Sequence, residues 1–211
     1  MKKLIFLDVD GVLNCCTADM ERLSGLGLSD TEALTCISPF AADRLIEICR
    51  RTGAHIVLNA SMGPDLFSGN ERIRKDRLYC LPDGRCLMGF LKDNGAVVDG
   101  YAFDRWYDYR KKRTAGDKET VLTGSKLAAA ALYLSAHPAE RFIFIEDGLS
   151  FDREDILKDE ELLGKYAPEA LPCYDAGLFQ RNYIATKEQD IWSVPYGLRD
   201  CDIEKAVRLL A

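Results

Sequence analysis

Histidine is scarce in this chain. Only His55 and His137 occur among its 211 residues, so a His-based triad or a histidine-rich metal site has little material to draw on. His55 stands at the start of an apolar run and His137 precedes Pro138 at the end of an expected helix, places that suit structural and capping roles. No apolar run reaches the about 18 residues that read as a membrane-spanning helix, which excludes such a helix. The opening Met1-Lys2-Lys3 and the apolar residues after it have the look of a signal peptide, but Asp8 and Asp10 interrupt the run too early for a targeting core. A cytoplasmic protein with no membrane partner is expected. Basic residues are outnumbered, 28 Lys and Arg against 34 Asp and Glu for a net charge of -6. That balance argues against a broad nucleic-acid-binding surface but leaves room for a local basic patch. Internal repeats, low-complexity tracts and flexible linkers are absent too. One α/β domain over 1–211 with an insertion is the natural expectation, and a hydrophobic share of 47% is ordinary for a chain that buries a real core.

Eight cysteines are many, yet no Cys-x-x-Cys pair occurs among Cys15, Cys16, Cys36, Cys49, Cys80, Cys86, Cys173 and Cys201, so structural zinc is poorly supported. Cys80 and Cys86 flank the turn sequence Leu-Pro-Asp-Gly-Arg. Facing each other across a hairpin, they leave open a disulfide or half a metal site; reduced, mostly buried thiols are the expectation in a cytosol. Cys15 and Cys16 follow the acids closely and are the candidates for reactivity.

The chain is organised around Leu4-Ile5-Phe6-Leu7-Asp8-Val9-Asp10-Gly11-Val12-Leu13-Asn14. Four apolar residues in a row read as a strand buried on both faces. In extended backbone Asp8 and Asp10 point the same way. Gly11 lets the chain turn sharply or lie close to a ligand. Two carboxylates at close quarters repel, and one protonates or recruits a cation. A divalent metal answers that need and also suits a phosphate. A plain Asp-Gly turn would not need the first Asp. A helix-loop-helix calcium loop wants glycine sixth, whereas Gly11 is fourth counted from Asp8.

Further along, residues 15–37 are irregular in pattern and long enough for a flap over a site. Ser38-Pro39 opens a helix with Ser as N-cap and Pro at the first position. Gly53 stops that helix, and Arg50 and Arg51 suit its dipole. Residues 54–58 read as a second buried strand, completing a βαβ unit. Turn signals crowd residues 62–122, and 63–120 reads as an insertion or cap-like segment with a hairpin near 78–91. Within it, residues 105–113 (Arg-Trp-Tyr-Asp-Tyr-Arg-Lys-Lys-Arg) form either a patch for a phosphorylated substrate, with rings for stacking, or a solvated segment whose aromatics pack inward. Residues 125–134 read as a helix rich in Ala and Leu, capped by Thr123 or Ser125. Phe142 to Ile145 is a buried strand ending in Glu146 and Asp147, with Asp152 just beyond. A helix over 155–163, a last strand over 182–185 and a terminal helix capped by Asp200 or Asp202 follow, with Ile203, Val207 and Leu210 at core spacing. The whole predicts a Rossmann-like parallel sheet with helices on both faces. Ligands bind such sheets beyond the C-terminal strand ends, where Asp8 and Asp10, Asn59 with Ser61, and Glu146 with Asp147 all stand.

These motifs, in this order, resemble those of the haloacid dehalogenase-like superfamily of phosphohydrolases, over about residues 1–62 and 121–150. The resemblance implies that Asp8 is the nucleophile, Asp10 the general acid/base, and Lys126 the cation that neutralises Asp8 and the phosphate together. It implies a Mg2+ ion held by the Asp8 side chain, the Asp10 backbone carbonyl and Asp147, with Glu146 able to replace or assist Asp147 and Asp152 farther out. Gly11, Asn59 and Ser61 fall to substrate binding. The family usually places Ser or Thr where this chain has Asn59; an Asn amide donates as a hydroxyl does. The wording of the first motif, and of the closing Gly-Leu-Arg-Asp-Cys-Asp-Ile-Glu-Lys-Ala, is similar to a small-cap branch found alone or within RNA-repair proteins. The expected activity is hydrolysis of a phosphomonoester, a phosphorylated small molecule or nucleic-acid end, through a phospho-aspartate. The rivals are a phosphotransferase and a phosphate- or protein-binding module without chemistry.

Overall fold

The computed structural model describes residues 2–71, 79–103, 125–188 and 194–211. Among these residues five strands form one sheet: β1 (Lys2–Leu7), β2 (His55–Leu58), β3 (Val98–Tyr101), β4 (Ala139–Glu146) and β5 (Tyr183–Ala185). Every pairing is parallel and the order is β3-β2-β1-β4-β5. The helices, in chain order, are α1 (Met20–Gly25), α2 (Asp30–Thr35), α3 (Pro39–Thr52), α4 (Gly63–Ser68), α5 (Leu87–Asp93), α6 (Lys126–Ala136), α7 (Arg153–Tyr166), α8 (Ala176–Arg181) and α9 (Asp200–Leu210). This is the α/β, Rossmann-like arrangement that the apolar runs predict.

The apolar run of β1 serves two cores at once. Ile5 and Leu7 point to one face, where Ile56, Leu58, Ile143 and Ile145 join Leu45 and Ile48 of α3 and Ala206 and Leu210 of α9. Leu4 and Phe6 point to the other, against Val57, Phe144 and the alanine-rich α6. Phe6 stacks on Phe144 at 5.1 Å between ring centroids. Alternation along the strand thus buries both faces, which is why no polar residue interrupts the run.

The α3 helix has both ends signalled by its own residues. Ser38 Oγ accepts the Ala41 N–H at 3.2 Å, Pro39 takes the first position, and Gly53 closes the helix at φ +67°. Other elements differ from expectation. The irregular stretch 15–37 contains a 3-10 turn and two six-residue helices, α1 and α2, the second with Ser29 and Glu32 in a reciprocal capping box. The hairpin expected near 78–91 is a single antiparallel bridge, Cys80 with Cys86, and no disulfide joins the two. Strand β3, inside the stretch read as an insertion, joins the core sheet beside β2. The α7 helix is longer than 155–163. At α9 the N-cap is Arg199, and Asp202 acts from inside the helix by accepting the Arg199 N–H at 2.9 Å. Asp99 of β3 accepts Lys2 Nζ at 3.0 Å and lies 3.0 Å from His55 Nδ1, so His55 serves the structure at the opposite end of β2 from Asn59. The 105–113 stretch lies outside the described residues. Among those described, no helix is long and apolar enough to cross a membrane.

Candidate functional site

Register brings the strand ends level. Leu7 pairs with Leu58 on one side and with Ile145 on the other. The next residues, Asp8, Asn59 and Glu146, therefore leave the sheet side by side. The Asp8 N–H still bonds to Ile145 O at 3.0 Å and the Asn59 N–H to Leu7 O at 2.6 Å, so both side chains start from fixed backbone. Connections leave β1 toward β2 and return at β4, which makes the β1–β4 edge the switch point of the sheet.

Asp8 is buried and receives Lys126 Nζ on Oδ2 at 2.7 Å. The same ammonium contacts Glu146, a fully buried carboxylate whose second oxygen accepts the Gly148 N–H at 2.6 Å. Lys126 opens α6, and Ser125 fixes that end: its Oγ accepts the N–H groups of Leu127 and Ala128, both at 3.2 Å, while its hydroxyl donates to Asp159. Tyr174 donates to the same Asp159 carboxylate at 2.9 Å. The position of Lys126 thus rests on a buried relay that no short sequence pattern announces.

Asp147 stands next to Glu146 but faces Gly11. Gly11 has φ +75°, and a Cβ there would meet the Asp147 carboxyl carbon at 2.7 Å, so only glycine fits. The Gly11 carbonyl accepts the Thr186 hydroxyl at 2.9 Å. Burial raises the Asp147 carboxyl above the ordinary range, the Asp8 charge adds to the rise, and Lys126 and Lys187 oppose it. Burial likewise raises Asp8, against the pull of Lys126. A cavity of about 470 Å³ opens beside Asp147, with Phe151, Tyr183, Gln180 and Lys187 in its walls.

Asp10, two residues beyond Asp8, is exposed. Its two oxygens accept Asn14 Nδ2 at 2.7 Å and the Tyr79 hydroxyl at 3.1 Å. Asn14 in turn accepts the Gly11 N–H at 2.9 Å. Burial, then the Asp10 charge, pushes the Tyr79 phenol up to about 12. Asn59 is fully buried, and neither atom of its amide has a hydrogen-bond partner among the described residues. Ser61 is exposed. Asp152 is the N-cap residue of α7. Cys15 and Cys16 are both raised by burial, Cys16 to about 12, so neither is a ready thiolate at neutral pH.

Asp8, Glu146 and Asp147 each offer a carboxylate oxygen within 4.8 Å of the others. An all-oxygen donor set suits a hard divalent cation. With both Glu146 oxygens committed, to Lys126 and to Gly148, Asp8 and Asp147 are the side chains of this group with an oxygen left for such an ion. The structure therefore brings Asp8, Lys126, Gly11 and Asp147 together, with Asn59 at the next strand end. It adds Glu146 to the acids as the anchor of Lys126. Asn14, Tyr79, Thr186 and Asp159 went unrecognised in the sequence; Asn14 alone stood inside the motif. No protein-family model, curated protein or solved structure matches the chain.

Proposed function

We propose that the chain is a divalent-metal-dependent phosphomonoester hydrolase of the haloacid dehalogenase-like kind. The observation that carries the reading is the Lys126 ammonium 2.7 Å from a buried Asp8 carboxylate, in one cluster with Asp147. A buried carboxylate backed by a cation, at the switch point of a parallel sheet, suits attack on an anionic phosphoryl group. Mg2+ is the ion that the family resemblance implies; Asp8 and Asp147 would hold it, and it would supply charge compensation for the phosphoryl oxygens.

The chain's own groups divide the work. An Asp8 oxygen forms a bond to phosphorus as the bond to the leaving oxygen breaks. Asp10 gives its proton to that leaving oxygen. Water then attacks the phospho-aspartate, Asp10 takes the water's proton, and Asp8 and inorganic phosphate are released. Lys126 stays on Asp8 and the phosphoryl group throughout. The buried, unpartnered amide of Asn59 is suited to donate to a phosphoryl oxygen, since an orphaned buried amide costs stability unless a ligand satisfies it. The substrate class is a phosphorylated small molecule or a nucleic-acid phosphate end, on the wording of the first and last motifs.

The test is turnover of a panel of phosphomonoesters, with and without Mg2+, by the wild type and Asp8→Asn. The expected loss is roughly a thousandfold or more in kcat. Full metal-dependent turnover by Asp8→Asn would overturn the mechanism. Tight binding of inorganic phosphate with no turnover of any ester would make the chain a binding module instead.

A further inference from the structure

Asp10 presents a problem that its neighbours resolve. It is exposed, and an exposed aspartate ordinarily samples several rotamers, yet a proton donor has to meet the leaving oxygen in a narrow range of geometry. Here both oxygens are held. Asn14 takes Oδ1 at 2.7 Å and is itself locked by the Gly11 N–H. The Tyr79 hydroxyl takes Oδ2 at 3.1 Å from 69 positions away in the chain.

Tyr79 reaches that point from an unusual backbone. Its φ is +56°, the left-handed region, which a bulky aromatic residue rarely adopts. The turn around it imposes that conformation. Leu87 donates its N–H to Tyr79 O at 2.9 Å, Ile37 donates to Cys80 O at 2.9 Å, and Cys80 pairs with Cys86. A strained residue persists when the surroundings over-determine it, and such residues cluster at functional sites.

We propose that Tyr79 is a positioning residue for Asp10, by which the segment between β2 and β3 orients the acid/base toward the leaving oxygen. This rests on the hydrolase reading above. The Tyr79 hydroxyl donates to the Asp10 carboxyl, and it is through that carboxyl that Tyr79 acts. Asn14 fixes the other oxygen, so removing the phenol leaves the carboxyl tethered at one end and free to swing about it.

The consequence is specific. A misaligned general acid matters most when the leaving group is a poor one that needs its proton, and least when the leaving group departs as a stable anion. Tyr79→Phe keeps the ring and deletes only the hydroxyl. We expect its kcat/KM, which reports the first displacement and not the water step that both esters share, to fall about tenfold or more on an alkyl phosphate and less than about threefold on p-nitrophenyl phosphate. A purely structural loss lowers both substrates by the same factor. In an Asp10→Asn background the same change should cost nothing further, because the group it orients is gone.

Equal losses on the two esters, no loss on either, or a full additional loss in the Asp10→Asn background would overturn the assignment while leaving the hydrolase reading intact. Absence of metal-dependent turnover of either ester by the wild type would overturn both.

Discussion

Asp147 carries a charge where the fold does not favour one. It is half-buried beside Asp8, and both circumstances raise its carboxyl from its ordinary value of 3.8. A carboxyl raised in the folded state contributes its full stability below the unfolded pKa, and that contribution is lost as the pH rises through the folded value. Near neutrality, and without metal, Asp147 therefore works against the fold, as does Asp8, which is raised for the same reason. Asp147→Asn should melt at a higher temperature than the wild type at about pH 8 in chelator, with the gap closing as the pH falls toward 3.8. Thermal melts at several pH values check this, and a variant less stable than the wild type at pH 8 would refute it. The acids themselves were legible, because a carboxylate at the end of a buried strand has no structural reason to be there. Tyr79 was not. Its contact with Asp10 joins residues 69 positions apart, and nothing local in the sequence marks an aromatic residue as bound for a left-handed conformation.

At the scale of elements, the start of α6 decides where Lys126 sits. Ser125 caps the first turn and is held by Asp159, which Tyr174 also holds. The cap joins α6 to α7 and to the turn that follows it. Ser125→Ala removes two accepted N–H bonds and leaves buried Asp159 with one donor fewer. The expected cost is about 1–2 kcal/mol in chemical denaturation, with turnover reduced roughly tenfold as Lys126 loses its fixed base. Ser135→Ala, at the far end of the same helix, should leave turnover unchanged. Unchanged stability and turnover in Ser125→Ala would remove the relay from the account. The cap was legible because Ser followed by an Ala-rich apolar stretch is a strong local signal. The α3 helix was legible for the same reason, with Ser, Pro and Gly at its ends. Strand β3 was hidden because Val98-Asp99-Gly100-Tyr101 contains two residues that are poor in strands; its place comes from pairing with β2, not from local preference. The two short helices in 20–35 are six residues each, too brief for a periodic pattern to declare itself.

The whole molecule assembles what no segment holds. Apolar runs predict strands, but which strand lies beside which comes from the order β3-β2-β1-β4-β5, and the common rim comes from the register that sets Leu7 level with Leu58 and Ile145. The unfolded chain separates Asp8 from both Lys126 and Asp147 by more than a hundred positions, so the cluster exists only in the folded state. A cation bound there stabilises the fold by mass action, about 2.7 kcal/mol at a concentration a hundred times its Kd. For a domain of this size that is about 5–10 °C in Tm. Mg2+ should raise the Tm of the wild type by this order, and a sodium salt at matched ionic strength should not, since screening alone carries no such specificity. Asp147→Asn, already relieved of its charge, should lose most of the Mg2+-dependent rise. Ser61→Ala, altering an exposed residue outside the carboxylate cluster, should keep it. An equal rise in Asp147→Asn and the wild type would place the ion elsewhere and remove Asp147 from its ligands. No rise in either would leave the three carboxylates to the side-chain cations near them, Lys126 and Lys187, and the hydrolase reading without its metal.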